Sequence, residues 1–169
     1  MAKAAADARV AFVTPSHQYP LGMTLSMGRR MELLAWARAA GAWIVEDDYA
    51  SEFRYSGPPL ESLQGLDGGE RVIYVGTLNK ALFPGLRMGY MVAPKPLAGA
   101  LANARQLMGR QPPTLTQAIV LDFFREGHFA AHIRRRRLAY KAQRDALAGA
   151  LEAQLGHLLE VDVPDQGMT

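Results

Sequence analysis

Short apolar runs alternate with longer amphipathic stretches along the chain, and this alternation predicts a fold of strands and helices. Four runs are rich in β-branched or other apolar residues and are bounded by turn-forming residues, which is typical of strands. They lie at residues 9–13, 43–45, 72–75 and 89–93. Because helical stretches separate some of them, the pattern predicts an α/β fold with a parallel or mixed sheet.

Apolar residues recur at helical spacing in residues 27–40, the first of four predicted helices. Met27, Met31 and Leu34 line one stripe there, so the spacing predicts that these three side chains belong to the core. Ser26 is typical of a residue that caps the start of a helix, and Gly41 of one that follows its end. Helices are predicted over residues 27–40, 96–108, 114–125 and about 128–155, and residues 161–163 are predicted to begin a strand.

Composition is that of an ordinary globular domain, and it narrows the possible chemistry. The chain has 169 residues, of which 49% are hydrophobic and 21% are charged, and it contains no cysteine. Collagen, disulfide scaffolds and wholesale disorder are therefore excluded. A cysteine nucleophile and a thiolate metal site are excluded as well.

The charge pattern gives no sign of a nucleic-acid or membrane partner. The net charge of +3 is too small to indicate a polyanion. The four arginines at 134–137 fan around most of a helix and form no single stripe, so they are predicted to be solvated or paired with carboxylates. Prolines and polar residues interrupt the longest uncharged stretch, residues 10–28, so no membrane span is predicted and a cytoplasmic location is the default.

Polar side chains follow two of the predicted strands. Asp47 and Asp48 come after the second strand, and Thr77, Asn79 and Lys80 come after the third. Ligands of open α/β sheets bind beyond the carboxyl ends of the strands, so an acid and a lysine can converge on one pocket there. Taken alone, the acidic pair is more typical of a helix cap, a metal ligand or a solvated loop than of such a pocket, and the lysine is more typical of a solvated surface side chain.

Two longer segments resemble the fold type I pyridoxal-phosphate enzymes, the aspartate aminotransferase superfamily. They read EDDYASEFRY at residues 46–55 and RVIYVGTLNKALFPGLRMGYMVA at residues 71–93. The family pattern is an aspartate at a strand end, a Ser/Thr-x-Ser-Lys segment, and an arginine seven residues after the lysine. Asp47, residues 77–80 and Arg87 match it in order and spacing, except that Asn79 stands where the family has serine.

The resemblance implies that three residues contact the reactive part of the cofactor, pyridoxal 5'-phosphate. Lys80 would hold it as an internal aldimine, because only a primary amine forms a Schiff base with the cofactor aldehyde. Asp47 would face the pyridine nitrogen and keep it protonated, which makes the ring an electron sink. Tyr49 would contact the phenolic oxygen of the ring. Asp48 is expected only to cap the following turn.

The phosphate group of the cofactor has its own expected ligands. Arg87 carries the planar guanidinium that suits a phosphate. Thr77 and Asn79 would add hydrogen-bond donors. Because an amide still donates, the replacement of serine by Asn79 leaves this expectation in place.

A third segment narrows the resemblance to one subgroup. Residues 14–22 read TPSHQYPLG where aminotransferases commonly carry an Asn-Pro-Thr-Gly turn, and Tyr19 stands at the position of their cofactor-contacting asparagine. With SMGRRMELLAWA at residues 26–37, this segment is similar to the MocR subgroup of GntR-type transcriptional regulators. Tyr19 is therefore implied to face the cofactor. His17 and Gln18 either contact it or serve only the turn, and both interpretations stay open.

The resemblance runs from about residue 9 to the end and implies a partial domain. Residues 1–127 are expected to be the C-terminal part of the pyridoxal-phosphate-binding large domain, and residues 128–169 the linking helix and the beginning of the small domain. The winged helix-turn-helix, the early dimer-forming helices and a Gly-rich phosphate loop would lie upstream. The substrate-carboxylate arginine would lie downstream. These 169 residues alone are therefore expected to bind the cofactor weakly.

The leading hypothesis is the effector domain of a MocR-type regulator, in which the aminotransferase-like fold acts as a sensor more than as a catalyst. It implies a small amine or amino acid as effector, a homodimer in the full-length protein, and DNA contact only through the upstream domain. Two alternatives stay open. One is a catalytic aminotransferase of the aminoadipate type, which shares an EDD-type acidic motif, and the other is an inactive truncated fragment.

Overall fold

The computed structural model describes residues 7–109 and 113–168 of the chain. These residues divide into two units. The first unit takes its residues from the ranges Met1–Tyr49 and Leu60–Pro112, and the second from Ala50–Pro59 and Pro113–Thr169. The domain boundary after residue 127 concerns the organisation of a whole two-domain protein, and it stays a prediction.

A four-stranded sheet organises the first unit. Its strands lie side by side in chain order: β1 (Val10–Val13), β2 (Trp43–Asp48), β3 (Val72–Thr77) and β4 (Gly89–Val92). The first three are parallel, and β4 runs antiparallel to β3. The mostly parallel sheet with flanking helices predicted from the sequence is therefore confirmed. Since the parallel strands end at the same edge, the residues that follow β2 and β3 come together there.

Helices α1 (Met27–Ala40) and α2 (Leu63–Asp67) connect the parallel strands and cover one face of the sheet. The hydroxyl of Ser26 accepts a hydrogen bond from the backbone N–H of Arg29, and Gly41 adopts the left-handed conformation that ends α1, both as predicted. The core of the unit lies between this face and the two helices, and its buried members are Ala11, Leu33, Leu34, Ala37, Ile44, Leu63 and Val72.

The prediction that Met27 and Met31 belong to the core is wrong. Their side chains are 49% and 47% exposed, whereas Leu34 is fully buried. The buried stripe of α1 is centred on Arg30 and Ala37, roughly 90° around the helix from the two methionines. The hydrophobic pattern alone misplaced the stripe because an arginine occupies its centre.

The remainder of the first unit follows β3. The segment around Lys80, predicted as a loop, contains the short helix α3 (Leu78–Ala81) and a 3₁₀ turn at Pro84–Leu86. Helix α4 spans Lys95–Leu107. Among the described residues, no helix combines the length and the apolar composition needed to cross a membrane.

The second unit is built on helices α5 (Thr114–Arg125) and α6 (His128–Leu155), close to their predicted bounds. The ring of Phe53, in a 3₁₀ turn, packs edge-on against Tyr140 of α6 at 5.2 Å between centroids. Of the arginine run, Arg137 donates to the backbone carbonyl of Glu52, and residues 134–137 are all exposed.

The strand predicted at residues 161–163 does not form. The chain is irregular there, and pairing occurs instead at Gln166, as an isolated antiparallel bridge to Arg54. Pro164 follows the apolar run directly and has no backbone N–H to give to a strand ladder. The apolar run alone was therefore insufficient to make a strand.

Candidate functional site

The acidic pair at the end of β2 is divided between the two faces of the sheet. Successive side chains of a strand point to opposite faces, so Asp48 shares a face with Glu46 and Asp47 lies on the other. A carboxylate oxygen of Asp48 accepts a hydrogen bond of 2.9 Å from the hydroxyl of Tyr74 on β3. The sequence predicts a turn cap for Asp48, and the structure adds a hydrogen bond that joins β2 to β3.

Asp47 is half-buried beside a lysine. Burial raises the pKa of its carboxyl, the negative charge of Asp48 raises it further, and the positive charge of Lys80 opposes both effects. Asp47, near the end of β2, and Lys80, which follows β3, are therefore close enough to interact, as the carboxyl-end rule predicted. Asp47 can meet a positively charged group on this face of the sheet.

Lys80 is positioned by the start of α3. The hydroxyl of Thr77 accepts a hydrogen bond of 3.2 Å from the backbone N–H of Asn79, which caps the helix directly after β3. The Nζ atom of Lys80 then lies 4.2 Å from the centroid of the Tyr49 ring, in a cation–π contact. A primary amine is thus held at the exposed mouth of the site over an aromatic face.

Tyr49 also contacts the loop between β1 and α1. The His17 ring meets it edge-on, with 5.9 Å between ring centroids. Within the described part of the chain, the Tyr49 hydroxyl and the His17 Nδ1 are buried atoms without a hydrogen-bond partner. Burial raises the pKa of Tyr49, with Asp47 and Asp48 adding to the effect, so the phenol keeps its proton. Burial and the charge of Lys80 lower the pKa of His17, which favours the neutral ring.

Gln18 and Tyr19, in the same loop, differ from each other in their contacts and exposure. Gln18 serves the turn: its side-chain amide donates to the carbonyl of Tyr19 and accepts from the backbone N–H of Leu21. Tyr19 is 75% exposed, and its hydroxyl is close enough to Tyr49 to influence that phenol. Of the alternatives left open for Gln18, the structure favours a role in the loop itself.

Arg87 follows the 3₁₀ turn Pro84–Leu86, and Asn79 of α3 holds the backbone directly after it. The side-chain oxygen of Asn79 accepts a hydrogen bond of 3.0 Å from the backbone N–H of Met88, and Leu78 N–H donates to the carbonyl of Met88. Arg87 itself has a φ of 52°, in the left-handed region. This conformation costs a residue other than glycine roughly 1–2 kcal/mol. Strain of this kind is concentrated at binding sites.

Tyr74 and its neighbour Tyr90 were not among the residues predicted from the sequence. The Tyr90 ring lies over Gly76 on the adjacent strand, where an added Cβ would stand 2.4 Å from Cζ of Tyr90. Burial raises the pKa of Tyr74 and Asp48 raises it further, so Tyr74 remains a hydrogen-bond donor. The available signal was Gly76, a residue without a side chain inside an apolar strand, which indicates close approach by a neighbour.

Comparison with known proteins gives consistent matches. Residues 2–168 match the model of the family described as aminotransferase class I and II. The chain is 44% identical over 160 residues to the probable rhizopine catabolism regulatory protein MocR of Rhizobium meliloti, covering 95% of this chain and 32% of that protein. It is 42% identical over 157 residues to YhdI, an uncharacterized HTH-type transcriptional regulator of Bacillus subtilis, covering 93% and 34%.

The fold also matches solved aminotransferase structures. The kynurenine aminotransferase of Pyrococcus horikoshii superposes with a TM-score of 0.86 at 34% identity, covering 94% of this chain and 39% of that one. The chain therefore spans about a third of the length of the two regulators and about two fifths of this enzyme.

Proposed function

The chain belongs to the class I and II aminotransferase family, and from this premise we propose that it is the pyridoxal-phosphate-binding effector domain of a MocR-type transcriptional regulator. The similarity to the HTH-type transcriptional regulator YhdI and to the probable regulatory protein MocR, over more than nine tenths of the chain, supports the regulatory part. The observation that carries the cofactor part is the cluster in which Lys80 and His17 both contact Tyr49.

The residues present fit pyridoxal phosphate. A buried polar atom without a partner costs about 1–3 kcal/mol. The Tyr49 hydroxyl and the His17 Nδ1 are two such atoms beside the Lys80 amine, so the cluster suits a polar, planar ligand. The phenolic oxygen of the cofactor can accept the hydrogen bond that the Tyr49 hydroxyl has to offer. Asp47 suits a protonated pyridine nitrogen, because a carboxylate on a half-buried face pairs well with a cation.

Each residue of the site has a distinct task in this proposal. When bound, the cofactor supplies an aldehyde that reacts with amines and a ring that withdraws electrons. Lys80 would leave the Tyr49 ring and offer its primary amine to the aldehyde. Tyr49 remains a phenol and donates its proton in a hydrogen bond. Asp47 keeps a proton on the ring nitrogen that it faces. His17, held neutral by burial, lines the site without adding charge.

The proposed ligands of the cofactor phosphate are Arg87, Thr77 and Asn79. The guanidinium of Arg87 can give two parallel hydrogen bonds to phosphate oxygens. The hydroxyl of Thr77 and the side-chain nitrogen of Asn79 add donors from the start of α3. The oxygen of Asn79 already holds the turn at Met88, so this residue both shapes the turn and offers its N–H group.

The proposal extends to the whole protein. It would be a cytoplasmic homodimer in which a winged helix-turn-helix contacts DNA and the present domain binds a small amine or amino acid. Recognition of an amine through the cofactor follows from the same aldehyde chemistry that attaches the cofactor to Lys80.

Replacing Arg87 with glycine tests the phosphate assignment without destabilising the fold. Glycine relieves the left-handed strain, so the free energy of unfolding is expected to stay within about 1 kcal/mol of wild type or to rise. The dissociation constant of pyridoxal phosphate is expected to increase about tenfold or more, because charge-assisted hydrogen bonds are lost. Titration of the full-length protein with pyridoxal phosphate and, in parallel, with phosphate-free pyridoxal measures this. Equal losses for both ligands would contradict the assignment.

A catalytic aminotransferase is the second candidate, and the superposition on the Pyrococcus horikoshii enzyme favours it. Incubating the full-length protein with an amino-acid donor and a 2-oxo acid acceptor separates the two. A sensor is expected to react at most once per bound cofactor. Sustained turnover at about 1 per second or faster, absent in a Lys80→Ala variant, would identify an enzyme and overturn the sensor proposal.

A further inference from the structure

We propose that Arg30 is a positioning residue of the cofactor site: it clamps the loop of residues 14–25 and thereby holds His17 against Tyr49. The inference rests on the proposed function, because the site that it positions is the one assigned to pyridoxal phosphate. Arg30 lies in the first turn of α1, at the centre of its buried stripe.

The clamp consists of three hydrogen bonds from one guanidinium. Nη2 of Arg30 donates to the carbonyl of Pro15 at 2.8 Å, Nε to Leu25 at 2.9 Å, and Nη1 to Glu61 at 3.0 Å. Pro15 and Leu25 stand at the two ends of the loop, and Glu61 lies two residues before the start of α2. A single side chain therefore joins both ends of the loop to the segment that leads into the next helix.

Arg30 is only 1% exposed, which makes its position costly unless it is compensated. Its three bonded nitrogen atoms all donate to backbone carbonyls, and the charges of Glu46 and Asp48 favour its charged form. A leucine at this point would fill the core at lower cost. Retention of a buried cation is therefore better explained by the geometry that its planar fork imposes.

The clamped loop leads directly to the site. The backbone N–H of Leu25 donates to the same Pro15 carbonyl that Arg30 binds, so the base of the loop is closed twice. His17 follows two residues after Pro15 and meets the Tyr49 ring, whose face also contacts Lys80. A shift of the loop base would move the His17 edge away from Tyr49.

Glu61 connects the clamp to β2. The backbone N–H groups of Leu63 and Gln64 both donate to the carboxylate of Glu46, which lies on β2 one residue before Asp47. These hydrogen bonds thus fix the positions of the loop, the start of α2 and the end of β2 relative to one another. The Arg30 clamp sets the distance between the two sides of the site.

The experiment compares Arg30→Lys with a matched control, Asp67→Asn, in the full-length protein. A lysine keeps the charge, but its compact ammonium cannot span three carbonyls. Asp67 is also buried, and it binds the backbone N–H groups of Arg71 and Val72 at the start of β3, the end of that strand away from the site. Both variants are expected to lower the thermal midpoint of unfolding.

Only Arg30→Lys is expected to affect the site. Hydrogen–deuterium exchange of the cofactor-free protein should become about tenfold faster within residues 14–25 and stay unchanged in β2 and β3. The dissociation constant of pyridoxal phosphate should increase about tenfold, and the absorption maximum of the bound cofactor should shift. Asp67→Asn should leave the exchange of the loop, the dissociation constant and the spectrum unchanged.

Other outcomes overturn the inference. Unchanged exchange in the loop of Arg30→Lys shows that there is no clamp. Faster loop exchange with unchanged affinity and spectrum shows that the clamp does not serve the site. Equal effects in both variants show a merely structural role. If the wild-type protein binds no pyridoxal phosphate, the proposed function fails, while the exchange measurement still decides the clamp. Should Arg30→Lys not fold, Arg30→Gln enters the same comparison.

Discussion

Replacing Lys80 with alanine is expected to abolish the visible absorbance that pyridoxal phosphate acquires when it is attached to the full-length protein. The absorbance depends on a covalent bond to a primary amine, and Lys80 holds the amine in the cluster with Tyr49. Absorbance spectra of the purified protein after reconstitution and removal of free cofactor measure the effect. Since the bond is either formed or not, the expected loss is complete.

Two control variants distinguish the role of Lys80 as a primary amine from its role as a positive charge. Lys80→Arg keeps a cation over the Tyr49 ring but offers no primary amine, so it is also expected to lose the visible band. Lys95→Ala removes an exposed lysine at the start of α4 and should leave the spectrum intact. A Lys80→Ala protein with an unchanged visible spectrum would refute the assignment of Lys80.

Replacing Glu46 with alanine is expected to lower the free energy of unfolding by about 3 kcal/mol or more. Its carboxylate is fully buried and accepts from the backbone N–H groups of Leu63 and Gln64. The substitution leaves both groups unsatisfied and removes a charge that favours the buried Arg30 guanidinium. Urea unfolding followed by circular dichroism measures the change.

A second glutamate provides the matched control. Glu32 forms an ion pair of 2.9 Å with Arg29 on the surface of α1, where both side chains are largely exposed. Pairs of this kind contribute about 1 kcal/mol or less. Glu32→Ala is therefore expected to unfold near the wild-type midpoint, and comparable losses in the two variants would mean that burial of Glu46 is unimportant.

Local signals in the sequence predicted much of the fold. The strands and the long helices follow from hydrophobic periodicity and from caps such as Ser26, which act over a few residues. The strand predicted at residues 161–163 failed because a strand also needs a neighbour with available backbone groups, and Pro164 limits that pairing. Met27 and Met31 were misplaced because periodicity reports which residues are apolar, not which way the helix is turned.

The part of the candidate site that could be predicted from the sequence is the part formed at the carboxyl ends of neighbouring parallel strands. Asp47 lies near the end of β2 and Lys80 follows its parallel neighbour β3, so their proximity could be inferred from topology. The hydrogen bond between Tyr74 and Asp48 depends on the register between two strands, which no local pattern fixes. The contact of His17 with Tyr49 depends on the path of an irregular loop, and the buried Arg30 that holds this loop reads in the sequence as a surface residue.

Because side chains along β2 alternate between the two faces of the sheet, this strand is expected to tolerate few insertions or deletions during evolution. Asp47 and Asp48 are chemically identical neighbours, yet Asp47 lies on the face near Lys80 and Asp48, on the other face, binds Tyr74. Inserting or deleting one residue of β2 before Asp47 would move both carboxylates, and every side chain that follows in the strand, to the opposite face. Insertions and deletions are therefore expected in the loops of homologous proteins and not in β2. Single substitutions in β2 are expected to occur more often than changes in its length.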